Sequence, residues 1–142
     1  MAMMLGRYAV ESVLKRINEA KIIKTSNAPL RQYIRAYKYE KSAKETCEYI
    51  AVNSLPFTHG TNNIESGVVN INVHVPQLAS GGIPTQRLDE ICEEIIALFP
   101  KDTLINGAYY NYFCDSRPMA DNDETYFVNL QIKVTYLDNK IE

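Results

Sequence analysis

The sequence predicts one α+β domain, residues 1–142, in which two helices pack on one face of an antiparallel or mixed β-sheet of about five strands. Two segments repeat their apolar residues at helical spacing. Other segments alternate apolar and polar residues, or are rich in aromatic residues, as strands do. The predicted element order is α-β-β-β-α-β-β, without an internal repeat or a low-complexity tract. A chain of 142 residues is long enough to bury one hydrophobic core.

Two amphipathic helices are predicted, over residues 4–20 and 85–99. In the second helix we expect Thr85 to act as the N-cap and Pro100 to stop the helix. An isolated helix of this length is marginal in water, so it must pack on an apolar surface. The apolar positions of this helix are Leu88, Ile91, Cys92, Ile95, Ile96 and Phe99.

Five strands are predicted, over residues 32–40, 47–55, 67–75, 108–114 and 125–137. The first two are expected to form a hairpin arm. In the third, Val69, Ile71, Val73 and Val75 point to one side, which is the expected surface for the second helix. The fifth strand alternates in the same way over its whole length.

The composition excludes several classes of protein. Apolar residues make up 46% and charged residues 23% of the chain, which is ordinary for a globular protein. A net charge of −2 gives no overall attraction to nucleic acid or to anionic lipid. No apolar run reaches the roughly 18 residues that span a bilayer, and charges at 7, 11, 15 and 16 argue against a signal peptide. We therefore expect synthesis in the cytoplasm and no membrane partner.

The sequence contains no recognisable catalytic, cofactor or metal motif. The two histidines, His59 and His74, have no accompanying nucleophile elbow, HExxH, P-loop or GxGxxG. A catalytic triad assembled in space stays open, but two ordinary polar histidines are the favoured interpretation. The three cysteines form no CxxC pair and are expected to be buried, reduced thiols. We predict that the chain is not an enzyme and uses no cofactor.

The loop 115–124 collects four carboxylates. Closely spaced carboxylates can bind calcium, but the alternating ligands and the central glycine of an EF-hand are missing from this loop. We therefore expect a solvated acidic loop. Its acidic residues are Asp115, Asp121, Asp123 and Glu124.

The segment 31–44 interleaves basic and aromatic residues. That pattern also occurs in proteins that bind single-stranded nucleic acid. Acidic residues at 40, 45 and 48 and the acidic chain as a whole favour instead a charged arm that faces solvent or another subunit. The basic residues are Arg31, Arg35, Lys38, Lys41 and Lys44, and the aromatic ones are Tyr33, Tyr37 and Tyr39.

The polar sides of the two longest strands carry few charges. The polar side of the strand 67–75 presents Asn70, Asn72 and His74. The polar side of the strand 125–137 presents residues 129, 131, 133 and 135, of which only Lys133 is charged. Neutral amides suit a surface that another chain covers, and ten tyrosines with no tryptophan favour an interface as well. The alternative is that asparagine and tyrosine merely suit turns and strands.

The order of elements and two local patterns resemble a known family. The patterns are Tyr49-Ile50-Ala51-Val52 in a strand and Arg87-Leu88-Asp89-Glu90-Ile91 in the second helix. With the variable polar loop 56–66 between strands, they resemble the tail-terminator and head–tail joining proteins of long-tailed bacteriophages. The 31–46 arm and the acidic 115–124 loop depart from the family pattern.

The resemblance implies a structural virion protein without catalytic residues. It would form a ring, usually of six copies, at the head-proximal end of the tail, where it terminates the tube and joins it to the neck. Its implied partners are itself, the tail tube protein and the neck or connector proteins. DNA would pass through the channel without sequence-specific binding. The alternatives are a head-completion (stopper) or other neck protein, or a non-viral cytoplasmic adaptor.

A contact between subunits follows as a hypothesis. The basic 31–44 arm of one subunit is expected to meet the acidic 115–124 loop of the next, as a heterologous contact that closes into a ring. The predicted interface residues are Arg31, Arg35, Lys38, Lys41, Lys44, Tyr33, Tyr37, Asn70, Asn72, His74, Asp115, Asp121, Asp123 and Glu124.

Overall fold

A computed structural model of the chain describes residues 2–22, 33–39, 48–59 and 64–137. The two helices are α1 (Ala2–Ala20) and α2 (Thr85–Ala97). The strands are β1 (Arg35–Lys38), β2 (Tyr49–Ser54), β3 (Thr58–His59), β4 (Ile64–Pro76), β5 (Thr103–Ile105), β6 (Ala108–Asp115), β7 (Met119–Ala120) and β8 (Thr125–Leu137).

All strands belong to one mixed, curled sheet with the order β1-β2-β4-β8-β6-β5. The short strands β3 and β7 pair with β4 and β8 outside this path. The centre is the antiparallel pair β4–β8, which runs in unbroken register from Ile64 opposite Leu137 to Pro76 opposite Thr125. The predicted α+β class is confirmed, and β3, β5 and β7 add to the five predicted strands.

The prediction that the first two strands form a hairpin is wrong, because β1 and β2 run parallel. Asn18 of α1 explains how β1 is held at the edge of the sheet. Its side-chain amide accepts a hydrogen bond from the Ala36 N–H at 2.8 Å and donates one to the Ala36 carbonyl at 3.2 Å. Helix α1 thereby occupies backbone groups that an edge strand otherwise leaves open to other chains. The segment 40–47 between the strands lies outside the described residues.

Both helices pack on the same face of the sheet. Val10, Val13 and Ile17 of α1 are buried in one cluster with the apolar stripe of α2 and the apolar sides of β4 and β8. The predicted packing of α2 on the Val69–Val75 face is therefore confirmed. Each large buried side chain contributes about 1.5–3 kcal/mol, so this shared cluster dominates the stability of the fold.

The ends of α2 differ from the prediction by one or two residues. Pro84 occupies the N-cap position without a side-chain hydrogen bond, and Thr85 is the first helical residue, so the prediction of Thr85 as N-cap is wrong. Phe99 lies beyond the helix end yet remains buried. Arg16 of α1 donates from Nε to the Leu98 carbonyl at 2.7 Å and lies over the Phe99 ring, which joins the two helices.

None of the helices in the described part of the chain is both long and apolar enough to cross a membrane.

A glycine in β4 makes room for an aromatic ring. The ring of Phe57 lies where a Cβ atom on Gly67 would be placed, and it also packs 6.2 Å from the ring of Tyr136, measured between centroids. A methyl group at residue 67 therefore cannot be accommodated unless the ring moves.

We predict that Gly67→Ala lowers the free energy of unfolding by about 1–3 kcal/mol, the usual cost of overpacking. Urea denaturation followed by circular dichroism measures this change. Ser66→Ala, at the neighbouring position of the same strand, is the control and should change stability little. In a Phe57→Ala background the cost of Gly67→Ala should largely disappear. An equal cost in both backgrounds would contradict the explanation.

Candidate functional site

Both helices lie on one face of the sheet, and we call the opposite face the open face. Strand register brings amide side chains from three neighbouring strands together on it. Asn53 of β2 and Gln131 of β8 lie opposite Asn70 of β4, and Asn129 of β8 lies opposite Asn72 of β4. We call these five side chains the amide row.

Hydrogen bonds link the amide row across the sheet. Asn70 donates from Nδ2 to Asn53 Oδ1 at 3.0 Å. Its own Oδ1 accepts from Asn129 Nδ2 at 3.2 Å and from Gln131 Nε2 at 3.3 Å. Asn129 Nδ2 also donates to Asn72 Oδ1 at 2.8 Å. Four hydrogen bonds thus link the five amides to one another.

This linkage bears on what the open face can do. Covering a polar group costs free energy mainly when its hydrogen bonds are lost, and the amide row keeps its bonds within the chain. Asn70 is only 9% exposed even without a partner. A neutral, internally bonded surface of this kind can be covered by another chain at a lower cost than a charged one.

A stack of three rings borders the amide row at one end. His74 of β4 lies between Tyr49 of β2, at 4.3 Å and 10° between ring planes, and Phe127 of β8, at 4.9 Å and 21°. The same register that aligns the amides places these residues side by side. His74 is consequently buried, although no helix lies above it.

The acidic loop folds back onto this stack within the same chain. Asp123 accepts a hydrogen bond from the Tyr49 hydroxyl at 2.6 Å and bonds from both the backbone N–H and the hydroxyl of Thr125. The Nδ1 atom of His74 lies 3.1 Å from Thr125 Oγ1 and 3.7 Å from a carboxylate oxygen of Asp121.

These contacts shift two pKa values. Burial, and then the hydrogen bond to Asp123, raise the pKa of the Tyr49 hydroxyl. For Asp123, burial acts to raise the pKa, but the hydrogen bonds from Thr125 and Tyr49 and the nearby His74 outweigh burial, so its pKa falls below the usual 3.8. Both shifts favour an ionised Asp123 held by a neutral Tyr49.

The sequence predicted His74, Asp121 and Asp123 as interface residues but did not predict that they meet one another. It also missed Tyr49 and Thr125. The signal that could have found them is register, since a β2–β4 pairing with Asn53 opposite Asn70 sets Tyr49 opposite His74. Glu124, in contrast, is exposed, and its backbone carbonyl accepts from the Gln77 N–H at 3.0 Å.

Three of these side chains have the composition of a metal site. Among the described residues, one nitrogen of His74 and one carboxylate oxygen each of Asp121 and Asp123 lie within 4.8 Å of one another. However, both oxygens of Asp123 already accept hydrogen bonds from Tyr49 and Thr125. Hydrogen bonding within the chain therefore accounts for the cluster.

The basic arm is described in part, because Arg31, Lys41 and Lys44 lie outside the described residues. Tyr33 is exposed beside β1, and its ring lies 5.8 Å from Lys21 Nζ. Arg35 is exposed and lies 5.9 Å from the ring centroid of Tyr37. Lys38 forms an ion pair with Glu11 of α1 at 2.7 Å. The described part of the arm thus lies along the β1 edge.

The cysteines differ in their environments. Cys92 is buried as predicted, and burial raises the pKa of its thiol to about 12. The prediction is wrong for Cys114, which is exposed and donates its S–H to Gln131 Oε1 at 3.3 Å. A bulge between Tyr112 and Cys114 shifts the register of β6 there, which strand alternation could not reveal. Cys47 lies outside the described residues.

Comparisons with known proteins inform the fold. No family model matches the sequence, and no curated protein matches it either. A solved structure whose name describes no activity is similar, with a TM-score of 0.54 and 12% sequence identity. The match covers 88% of this chain and 94% of that chain. At this identity the likeness shows the fold alone.

We predict that Asp123→Asn lowers the free energy of unfolding at pH 7 by about 1–2 kcal/mol, because it removes a charge that accepts hydrogen bonds at a partly exposed site. Asp121→Asn is the matched control and should cost less, since the Asp121 carboxylate accepts one hydrogen bond, from the Asn122 N–H, and lies 3.7 Å from His74 Nδ1, whereas the Asp123 carboxylate accepts three. Chemical denaturation of both variants measures the difference.

The cost of Asp123→Asn should also depend on pH. The folded-state pKa of Asp123 is lowered, so its contribution to stability is fully present above the unfolded pKa of 3.8 and disappears as the pH falls through the lower folded-state value. A cost that stays constant from pH 7 to pH 2 would contradict the role of the charge.

Proposed function

We propose that this protein is a structural subunit of a homo-oligomeric ring of the tail-terminator type, which ends a bacteriophage tail tube and joins it to the neck. The observation that carries the proposal is the difference between the two faces of the sheet. Helices seal one face, whereas the open face presents a neutral amide row on which neither described helix packs.

The open face has the physical character of a surface that another chain covers. Its centre is neutral and internally hydrogen bonded, and its margins hold exposed aromatic residues such as Tyr109, which is 36% exposed. Interfaces are typically depleted of charge at the centre and enriched in tyrosine and phenylalanine. We infer that a neighbouring copy covers this face in the assembled state.

The element order supports the choice of family. A helix, a Tyr-Ile-x-Val strand, an alternating strand, a second helix with the Arg-Leu-Asp-Glu-Ile pattern and a long final strand follow one another as in tail-terminator and head–tail joining proteins. A stopper or other neck protein would also form a ring, but that ring would contact different neighbouring proteins. A non-viral adaptor would instead form a compact oligomer that does not cap tubes.

Light scattering and electron microscopy of the purified protein distinguish these functions. Six copies of the 16.2 kDa chain in a closed ring would have a mass of about 97 kDa. Rings that cap the ends of added tail tubes would support the terminator. Rings that bind connector proteins but not tubes would favour a stopper. A compact dimer at every concentration would overturn the ring.

We predict that Asn72→Lys, at the amide row, raises the concentration needed for assembly at least about tenfold, because a covered, unpaired charge is costly to desolvate. Size-exclusion chromatography with light scattering measures assembly, and circular dichroism checks that the variant is folded. Gln77→Lys makes a similar amide-to-lysine change at an exposed loop position and should assemble normally. Assembly of a folded Asn72→Lys variant at the wild-type concentration would contradict coverage of the open face.

A further inference from the structure

The hydrogen bonds around Thr125 assign one hydrogen on the His74 ring. Thr125 donates its single hydroxyl hydrogen to Asp123. Toward the Nδ1 atom of His74, which lies 3.1 Å away, the same hydroxyl oxygen can therefore only accept. The Nδ1 atom consequently carries a hydrogen, and a second proton, on Nε2, makes the ring a cation.

A directed chain of hydrogen bonds thus runs from the sheet to the acidic loop. His74 donates to Thr125, and Thr125 donates to one carboxylate oxygen of Asp123. The Tyr49 hydroxyl donates to the other oxygen of Asp123, and the Tyr49 ring stacks on the His74 ring at 4.3 Å between centroids. All of these donors point toward the ionised carboxylate, so the charge of His74 acts on the group that anchors the loop.

Four neighbouring groups favour a positive charge on His74. A carboxylate oxygen of Asp121 lies 3.7 Å from Nδ1, and Asp123 lies one hydrogen bond further away. Tyr49 and Phe127 stack on the two sides of the ring, and the face of an aromatic ring attracts a cation. Attraction between charges is mutual, so the interaction with His74 that helps to lower the pKa of Asp123 also stabilises the imidazolium.

Burial and one cation oppose this charge. His74 is only 6% exposed, and loss of water disfavours the charged form of any group. Arg35 on β1 lies opposite Tyr49, one strand beyond His74, and its guanidinium carbon lies 5.9 Å from the ring centroid of Tyr37. The two carboxylates come closer to His74 than this cation, which is separated from it by a strand.

The other neighbours of His74 add little charge. On the same side of β4, the adjacent residues are Asn72 and Pro76, which are neutral. Glu48, which precedes β2, accepts two hydrogen bonds from Arg87, at 2.8 Å and 3.0 Å, so the charges of these two groups largely compensate each other. The carboxylates of the loop therefore dominate the electrostatic surroundings of the ring.

We propose that His74 is a pH-dependent latch, whose protonated ring holds the segment 121–124 against the sheet more tightly than its neutral ring does. The proposal concerns a single chain and goes beyond the proposed ring, since it holds whether or not copies assemble. Protonation keeps the Nδ1–H bond to Thr125 and adds a charge beside Asp121 and Asp123.

The sign of the pH dependence follows from the form that the fold favours. A histidine in an unfolded chain has a pKa of about 6.5. Because the latch favours the imidazolium, its contribution to stability is fully present below this value and is lost as the pH rises through the higher folded-state pKa. This range lies above the acidic range in which the contribution of Asp123 disappears.

An NMR titration of the wild-type protein tests the latch without any substitution. The ring signals of His74, assigned through the sequence, should titrate with a midpoint above about 6.5. The Nδ1 hydrogen should remain bonded on both sides of this midpoint, since both forms of the ring carry it. A midpoint at or below the unfolded value would overturn the proposal.

A stability comparison tests the energetic consequence. His74→Phe keeps a ring between Tyr49 and Phe127 but cannot be protonated. The unfolding equilibrium constant of the wild type, divided by that of His74→Phe, should rise at least about fivefold from pH 5.5 to pH 8. The division cancels the titration of groups that both proteins share. A quotient that does not change with pH would overturn the latch.

Substitution of the loop carboxylates tests where the effect arises. Asp121→Asn should reduce the pH-dependent rise to less than about half, because it removes the carboxylate at 3.7 Å from His74. Glu124→Gln is the matched control, since Glu124 is an exposed residue of the same loop, and it should leave the rise unchanged. A rise that Asp121→Asn leaves intact would contradict the latch.

Hydrogen exchange of the Thr125 amide, which donates to Asp123, gives a local measurement. Its exchange rate in the wild type, divided by the rate in His74→Phe, should be at least about fivefold lower at pH 5.5 than at pH 8. Equal quotients at the two pH values would show that protonation does not tighten the loop, and would overturn the proposal.

Discussion

The antiparallel pairing of β4 and β8 is the constraint on which the rest of the structure depends. Each strand has 13 residues, and all of them pair without a register shift. Since side chains alternate across a strand, this register sends Val69, Ile71, Leu130 and Ile132 to the helices and the amides to the opposite face. A slip of one residue would exchange the two sets, bury the amides under the helices and expose the core.

The same register connects the core to the open face. Extending it to β2 sets Tyr49, His74 and Phe127 side by side, and the Tyr49 hydroxyl then meets Asp123 in the loop before β8. The loop is thus anchored by contacts between residues that are far apart in sequence. Because these contacts use its carboxylates, the loop is held at the margin of the open face and its negative charge is partly compensated within the chain.

Periodicity explains why much of the fold was predictable from the sequence. The helix from 85 and the strands near 67–75 and 125–137 repeat their apolar residues over many positions, and a core must bury them. The direction of β1 was not predictable, because it is four residues long and depends on a side-chain contact with Asn18. The exposure of Cys114 follows from a bulge, and the meeting of Tyr49 with Asp123 from pairing between distant strands. Neither leaves a local pattern in the sequence.

The positions of the charges, like the bulge at Cys114, could not be predicted from the sequence. A net charge of −2 suggests a nearly balanced protein, yet the fold places Arg35 on the edge strand β1 and Asp89 and Glu93 on α2, which packs on the central strands β4 and β8. Sequence proximity pointed to the 115–124 loop as the acidic partner, but hydrogen bonding within the chain already occupies Asp123. Asp115 is engaged as well, since it accepts a hydrogen bond from the Tyr112 hydroxyl at 2.7 Å. Composition gives the number of charges, but only pairing between distant strands decides which of them are already engaged within the chain.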